Sequence, residues 1–291
     1  MNILSWNVRG LNKASRQEEV SRFLRQQSVD ICGLLETKVR DDKVSGIMSK
    51  HFINYMLDYN YSIDVSGRIW VMWNPRVVSV QVVGCTKQAV VCRVSYLTQG
   101  VTMMLSFVYA VNEMEGRKQL WSDLVHWATQ YSSMPFCVIG DFNEILRIEE
   151  RWGCMVLPAG ARDFQECMDQ AGLVEHNCIG PEFTWTNKSQ GDGMRASRLD
   201  RALINSSWLT SFGDSLLTIG LPGSYDHCPL LLKPFHIVQA LPRPFKFYNM
   251  WVTHPEYKNI VSTIWAEEVQ GNPLYRVVTK MKRLKAVLRE F

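Results

Sequence analysis

The chain has 291 residues, 46% of them hydrophobic and 21% charged, a composition that supports one large core and excludes a disordered chain. Lys and Arg exceed Asp and Glu by 32 to 28, a formal charge of +4, which permits an anionic partner without demanding one. No basic-then-apolar leader precedes the first strand pattern, and no apolar run nears the ~18 residues of a membrane span, so neither secretion nor a membrane partner is expected.

In chain order, residues 2–8 alternate as a half-buried strand. Ser15-Arg16-Gln17-Glu18 has the form of a capping box and predicts a helix to about Gln27, with Val20, Phe23 and Leu24 facing inward. Residues 30–36 (DICGLLE) predict a second strand that ends in Glu36. The β-branched and aromatic runs at 52–57, 68–73, 77–83, 89–97 and 101–109 are closely spaced, which predicts antiparallel meanders. An amphipathic helix is expected over 115–131, with Leu120, Leu124, Val125, Trp127 and Ala128 on one side. The strand 135–140 follows, then a helix at 161–172. Short strands are expected at 183–186, 199–204, 215–219 and 229–232. Strands interleaved with helices in this way predict an α/β layered sandwich.

Beyond Pro234 the character changes. Pro242 and Pro244 suggest a linker, and helices are expected at 255–269 and 273–290. The last carries Val277, Met281, Leu284 and Leu288 on one face, with Lys280, Lys282, Arg283, Lys285 and Arg289 elsewhere. Its pattern stops without a cap, which suggests a piece of a longer polypeptide; the alternative is a basic helical tail. Two parts are therefore expected, 1–235 and 236–291. The eight cysteines (32, 85, 92, 137, 154, 167, 178, 228) form no CxxC pair, so buried reduced thiols are expected rather than zinc or disulfides.

Polar residues recur where apolar strands end. Asn7 closes the first strand, Glu36 the second and Tyr109 a later one. Asp141 and Asn143 follow Phe136-Cys137-Val138-Ile139-Gly140, Asp200 lies in Arg198-Leu199-Asp200-Arg201, and Asp226-His227 precede Pro229-Leu230-Leu231-Leu232. Layered α/β folds bind ligands where strands terminate. Singly, Asn7 fits a turn, Tyr109 a core and His227 a structural imidazole. Together they offer hard oxygen donors without Cys, which favours Mg²⁺ or Mn²⁺ over zinc.

These residues, in this order, resemble the endonuclease/exonuclease/phosphatase superfamily over about residues 1–235. The motifs are Ser5-Trp6-Asn7, Leu35-Glu36-Thr37, Val108-Tyr109-Ala110, Gly140-Asp141-Phe142-Asn143, Thr184-Trp185, Arg198-Leu199-Asp200-Arg201 and Asp226-His227-Cys228-Pro229. A finer resemblance, to the endonuclease domain of plant LINE-type (non-LTR) retrotransposons, rests on Ser5-Trp6-Asn7-Val8-Arg9-Gly10-Leu11, Arg117-Lys118-Gln119-Leu120-Trp121, Phe183-Thr184-Trp185-Thr186-Asn187 and Phe247-Tyr248-Asn249-Met250-Trp251. In such elements a reverse transcriptase lies downstream.

The resemblance implies a four-layer α/β sandwich that hydrolyses DNA phosphodiesters with Mg²⁺, Mn²⁺ substituting. It implies metal binding by Glu36 with Asn7 and Asp226, and proton abstraction from water by Asp141. Asn143, Tyr109 and His227 would bind the scissile phosphate, Asp200 would orient His227, and Thr184 would contact phosphate. It further implies a nuclear location, a monomer, and element RNA as a partner only through the downstream domain. One position departs: Tyr225 stands where the family usually has Ser, and Ser224, one residue earlier, is the substitute phosphate contact. The alternatives within the superfamily are an abasic-site repair nuclease or a phosphatase; outside catalysis the alternative is an inert nucleic-acid-binding relic. Seven basic residues (Arg147, Arg151, Arg162, Lys188, Arg195, Arg198, Arg201) cluster in sequence near the motifs, as a phosphate-tracking surface or as ordinary solvated loops.

Overall fold

Strand residues of this chain alternate between two apolar environments rather than between oil and water. The chain is described by a computed structural model over residues 1–235, 252 and 254–290. Pro242, Pro244 and the phrase at 247–251 lie outside the described residues. The chain divides into two units, Met1–Ile237 and Val238–Phe291.

The first unit opens with β1 (Ile3–Asn7), α1 (Ala14–Gln26), β2 (Ile31–Leu35), α2 (Asp41–His51), β3 (Met56–Tyr59) and β4 (Ile69–Trp73). Next come β5 (Val78–Cys85), β6 (Ala89–Tyr96), β7 (Val101–Tyr109), α3 (Met114–Gln130), β8 (Phe136–Asp141) and α4 (Ala159–Ala171). Short pieces follow: β9 (Val174–Glu175), β10 (Cys178–Ile179), β11 (Trp185–Thr186), β12 (Ala196–Ser197), β13 (Asp200–Ile204), α5 (Ser206–Ser211), β14 (Leu216–Ile219) and β15 (Leu230–Lys233).

One sheet runs β10-β14-β15-β1-β2-β4-β3 and the other β5-β6-β7-β8-β13-β9. Both are mixed: β1 pairs parallel with β2 and β7 with β8, while β5-β6-β7 form the expected antiparallel meander. Odd residues of the central strands (Ile3, Ile31, Ile69, Leu105, Phe107, Cys137, Ile139) share one core between the sheets. Their even neighbours face outward onto helices. Leu4, Cys32 and Trp70 pack with Val20 and Leu24 of α1 and Val44 of α2. On the far side, Val108, Phe136 and Val138 pack with Leu120 and Leu124 of α3 and Phe164 of α4. Period-two strands that are apolar on both faces need a cover on each, and the result is four layers: helices, sheet, sheet, helices. At Gly33 the sheets approach closely, since a Cβ there would lie 2.2 Å from the Phe107 ring.

Several local expectations shift. Helix α1 begins at Ala14, and its N-cap Lys13 makes no side-chain cap bond, so the capping box at Ser15 does not form. Helix α2 has no counterpart in the sequence pattern because it buries only Val44 and Ile47, too few for a periodic signal. The edge strand expected at 52–57 lies at Met56–Tyr59. All eight cysteines are free. No helix among the described residues is long and apolar enough to cross a membrane.

In the second unit, α6 (Tyr257–Ala266) and α7 (Pro273–Glu290) are linked by the Arg283–Glu267 ion pair and a bond from Lys280 Nζ to the Trp265 carbonyl. Of the apolar face expected on α7, Leu288 is buried whereas Val277 and Met281 are exposed.

Gly140 is the residue through which β8 meets β7 just before its functional tip. Its φ is +154°, and a Cβ there would sit 2.0 Å from the Val108 carbonyl oxygen. The substitution Gly140→Ala should therefore destabilise the protein by about 1–3 kcal/mol, the usual scale of overpacking, measured as a lower urea midpoint at unchanged m-value.

Candidate functional site

Strand register assembles the site. Asp141 is the last residue of β8; Tyr109 of parallel β7 lies opposite it on one side and Asp200 of antiparallel β13 on the other. In the second sheet, Asn7 and Leu35 are paired at the ends of parallel β1 and β2, so Glu36 emerges immediately beside Asn7. His227 arrives from the segment before β15, held by a bridge to Trp185 and by Trp6 Nε1 donating to its carbonyl at 3.2 Å. Asn7, Glu36, Tyr109, Asp141, Asn143 and His227 all border one open cleft of about 660 Å³.

Within the cleft the polar groups are tightly partnered. Asp141 is 1% exposed; its Oδ2 accepts from Asn7 Nδ2 (2.9 Å) and its Oδ1 from the Asn143 amide (2.9 Å). His227 Nδ1 lies 2.9 Å from Asp200 Oδ2, while Nε2 stands 3.7 Å from Asp141 Oδ2. That second separation is too long for a direct bond, so the two groups stand side by side, each with capacity to meet an oxygen in the cleft. Asn143 donates through Nδ2 to the Ala110 carbonyl (2.6 Å), which leaves its second N–H for a ligand. Arg9, Glu36, Lys38 and Asn143 all have positive φ, between 39° and 54°, and such strain gathers at functional sites.

Burial and charge set the protonation. Burial raises Asp141 above the ordinary carboxylate range, reinforced by the charge of Asp200 and opposed by His227, Asn7 and the Asn143 amide. For His227, burial works against the imidazolium, but Asp200 and Asp141 outweigh it and lift the group from 6.5 to about 9. Burial, then the charges of Glu36 and Asp141, raise the Tyr109 phenol, so it stays a donor. At neutral pH the cleft thus holds an imidazolium and a phenol beside a basic carboxylate.

Two groups of residues could take a cation. Ligand atoms of Asp141, Asp200 and His227 lie within 4.8 Å of one another, but the imidazole is already bonded to Asp200 and protonated, which leaves little for a metal. Glu36 and Asp226 suit a divalent ion better, because both already draw cations of the chain itself. Lys38 sits 2.5 Å from Glu36, and Arg9 pairs with Asp226 and feels the charge of Glu36. With the Asn7 carbonyl alongside, this is a hard-oxygen donor set.

Two expected contacts are corrected. The Thr184 hydroxyl is wholly buried and accepts from the backbone amides of Leu199 (3.0 Å) and Asp200 (2.9 Å), so it positions Asp200 rather than meeting a phosphate. Ser224 faces away from the cleft and donates to Glu19 (2.6 Å). Tyr225, the departure from the family pattern, is buried edge-on against Trp6 at 4.4 Å and donates to the Arg16 carbonyl. It anchors the turn that presents Asp226 and His227 and does not block the cleft.

The basic cluster is also mostly occupied. Arg147, Arg198 and Arg201 pair with Glu150 or Glu175, and Arg162 with Glu166. Arg151 and Arg195 border the cleft and have no carboxylate partner among the described residues. Sequence reasoning gave no role to Arg9 or Trp152, both in the cleft; Arg9 stood in a quoted motif, whereas Trp152 had no signal beyond its type.

The profile of the Endonuclease/Exonuclease/phosphatase family matches residues 4–222. No curated protein matches the chain in sequence. Among solved structures, it is similar to the endonuclease domain of TRAS1, a telomere-specific non-LTR retrotransposon, with a TM-score of 0.62 at 13% identity over 80% of this chain and 97% of that one. It is also similar to D. rerio TDP2 complexed with a single-strand DNA product (TM-score 0.52, 16% identity, 80% and 97% covered). A mannosyl-6-phosphatase of Bacteroides thetaiotaomicron shares the fold as well (0.54, 10%, 80% and 98%).

Because the folded state holds the His227 proton more tightly than the unfolded chain, this pairing stabilises fully below about 6.5 and is lost as pH rises through about 9. In EDTA, an NMR titration of His227 should give a midpoint near 9, and Asp200→Asn should lower it by about a unit or more, since it removes the closest charge. An unchanged midpoint in the variant would mean that Asp200 does not hold the proton.

Proposed function

The chain belongs to the Endonuclease/Exonuclease/phosphatase family, and we propose that within it the protein is a metal-dependent endonuclease that hydrolyses DNA phosphodiesters. The observation that carries this reading is the placement of His227 Nε2 3.7 Å from Asp141 Oδ2, an acid and a base side by side at the cleft, able to serve a phosphate oxygen and the attacking water together. An open cleft bordered by Arg151, Arg195 and an exposed Trp favours a polymeric anion over a small phosphate ester.

The proposed roles follow from the bonds. Asn7 and the Asn143 amide hold Asp141, whose raised basicity suits removal of a proton from attacking water. The His227 imidazolium, oriented by Asp200, donates from Nε2 to a non-bridging phosphate oxygen. Tyr109 and the second N–H of Asn143 add donors there, so charge developing on those oxygens meets fixed dipoles. Glu36, Asp226 and Asn7 would hold Mg²⁺, or Mn²⁺ in its place, which supplies Lewis-acid polarisation of a phosphoryl oxygen when bound.

The LINE-type phrases support a finer reading: the enzyme nicks target DNA in the nucleus as a monomer and leaves a 3′-OH primer for a reverse transcriptase encoded with it. Likeness to TRAS1 agrees with this in fold, and likeness to the phosphatase keeps phosphomonoesters as the competing substrate class.

Supercoiled plasmid incubated with purified protein and Mg²⁺ should convert to nicked circle, and EDTA should stop it. Asp141→Asn should slow nicking by roughly 10²–10⁴-fold, the usual worth of a general base. The rate at subsaturating DNA should also fall steeply with added salt, as counterion release requires. Release of inorganic phosphate from sugar phosphates without nicking would overturn the nuclease reading in favour of a phosphatase.

A further inference from the structure

Trp152 is out of place for a surface residue. It is 55% exposed, it borders the same cleft as His227, and the chain beyond it continues apolar through Met155 and Val156, both more exposed still. An indole left in water needs a reason. A floppy loop would supply one, but this backbone is pinned. The Trp152 amide donates to the Ala196 carbonyl (2.9 Å), Arg198 donates through its amide to the Glu150 carbonyl (2.8 Å), and Arg151 bridges to Ser197. Beneath these, buried Arg201 binds Glu150 at 2.8 Å. The ring itself stands edge-on to Phe183, with centroids 6.4 Å apart, so one support is aromatic and the ring remains largely uncovered.

The same bridges fix where the ring sits relative to the chemistry. Arg151 pairs with Ser197, Ser197 with Trp185, and Trp185 with His227. Three ladder steps of about 4.8 Å place the Arg151–Trp152 wall roughly 14 Å from His227. That wall therefore meets a nucleotide flanking the scissile phosphate rather than the scissile phosphate itself. Its two neighbouring cations, Arg151 and Arg195, suit phosphates, whereas the indole and the apolar residues after it suit a base face. Aromatic rings on rigid mounts beside cationic side chains are the recurring means of holding unpaired bases.

We propose that Trp152 is a stacking platform for an unpaired nucleobase flanking the cleaved phosphate, so that the preferred substrate is DNA locally opened beside the nick. The proposal rests on the nuclease reading above and adds a substrate structure to it.

The test is equilibrium binding in EDTA, where no cleavage occurs. The probes are a duplex oligonucleotide with a short central bubble carrying 2-aminopurine and its fully paired counterpart. Wild-type protein should bind the bubble about tenfold more tightly than the paired duplex and quench the 2-aminopurine, the scale of one base–aromatic stack. Trp152→Ala should lose that factor and the quenching, while Trp152→Phe, which keeps a ring, should retain most of both. Matching thermal midpoints of the three proteins would exclude a folding defect. Equal affinity of wild-type protein for the two DNAs, or bubble binding by Trp152→Ala within twofold of wild type, would overturn the platform and leave the nuclease reading standing. Failure of wild-type protein to bind either DNA, together with no Mg²⁺-dependent plasmid nicking, would sink both.

Discussion

The strand ladder around β8 is the constraint on which the rest of the site depends. Asp141 has one neighbour on each side, and hydrogen-bond register assigns both: Tyr109 from β7 and Asp200 from β13. A one-residue slip would turn every side chain of β8 to the other face, and both of its faces are already filled, by Cys137 and Ile139 inward and Phe136 and Val138 outward. The apolar sandwich therefore makes the register all but unalterable, and the position of three functional groups follows from it. Gly140 permits the closeness that this needs, one residue before the tip.

Electrostatics then act on what packing has placed. Two buried carboxylates and an imidazole within 4.8 Å could not coexist fully charged without compensation. The imidazolium supplies it, bonded to Asp200 and facing Asp141, and the Asn7 and Asn143 donors complete the shell of Asp141. Outside that cluster Glu36 of the cleft is balanced by Lys38, and Asp226 by Arg9 of the cleft wall. The inner cluster is thus built for proton movement and the outer pair of carboxylates for a cation.

Charges distant from the chemistry maintain the rim. Arg201 is wholly buried, bonded to Glu150 and to the carbonyls of Arg198 and Glu144, and Arg117 lies 2.5 Å from Glu144. Removing one partner of such a pair typically costs about 3–5 kcal/mol, so these arginines brace the loop after β8 rather than track phosphate. They are the reason Trp152 can stand exposed on a fixed backbone.

Much of this was legible in residues 1–235, because a strand with apolar residues on both faces and a polar tip announces itself in order and spacing. Asp141, Asn143, Glu36 and Asn7 could be picked out that way, and the motif order pointed to the family. Side-chain direction at irregular segments could not. Nothing in Thr184-Trp185 tells that the Thr hydroxyl turns inward to two amides, nor in Ser224-Tyr225 that the Tyr enters the core against Trp6 while Ser224 reaches Glu19. The basic cluster stayed open between its two readings for the same reason, since Arg198 and Arg201 meet partners, Glu175 and Glu150, that are distant in sequence. The sequence by itself determined the layers and the tips of the strands, because alternation is local. Which carboxylates balance Arg198 and Arg201, which hydroxyls face inward and which indole stays uncovered were decided only by tertiary structure, because each depends on segments brought from far along the chain.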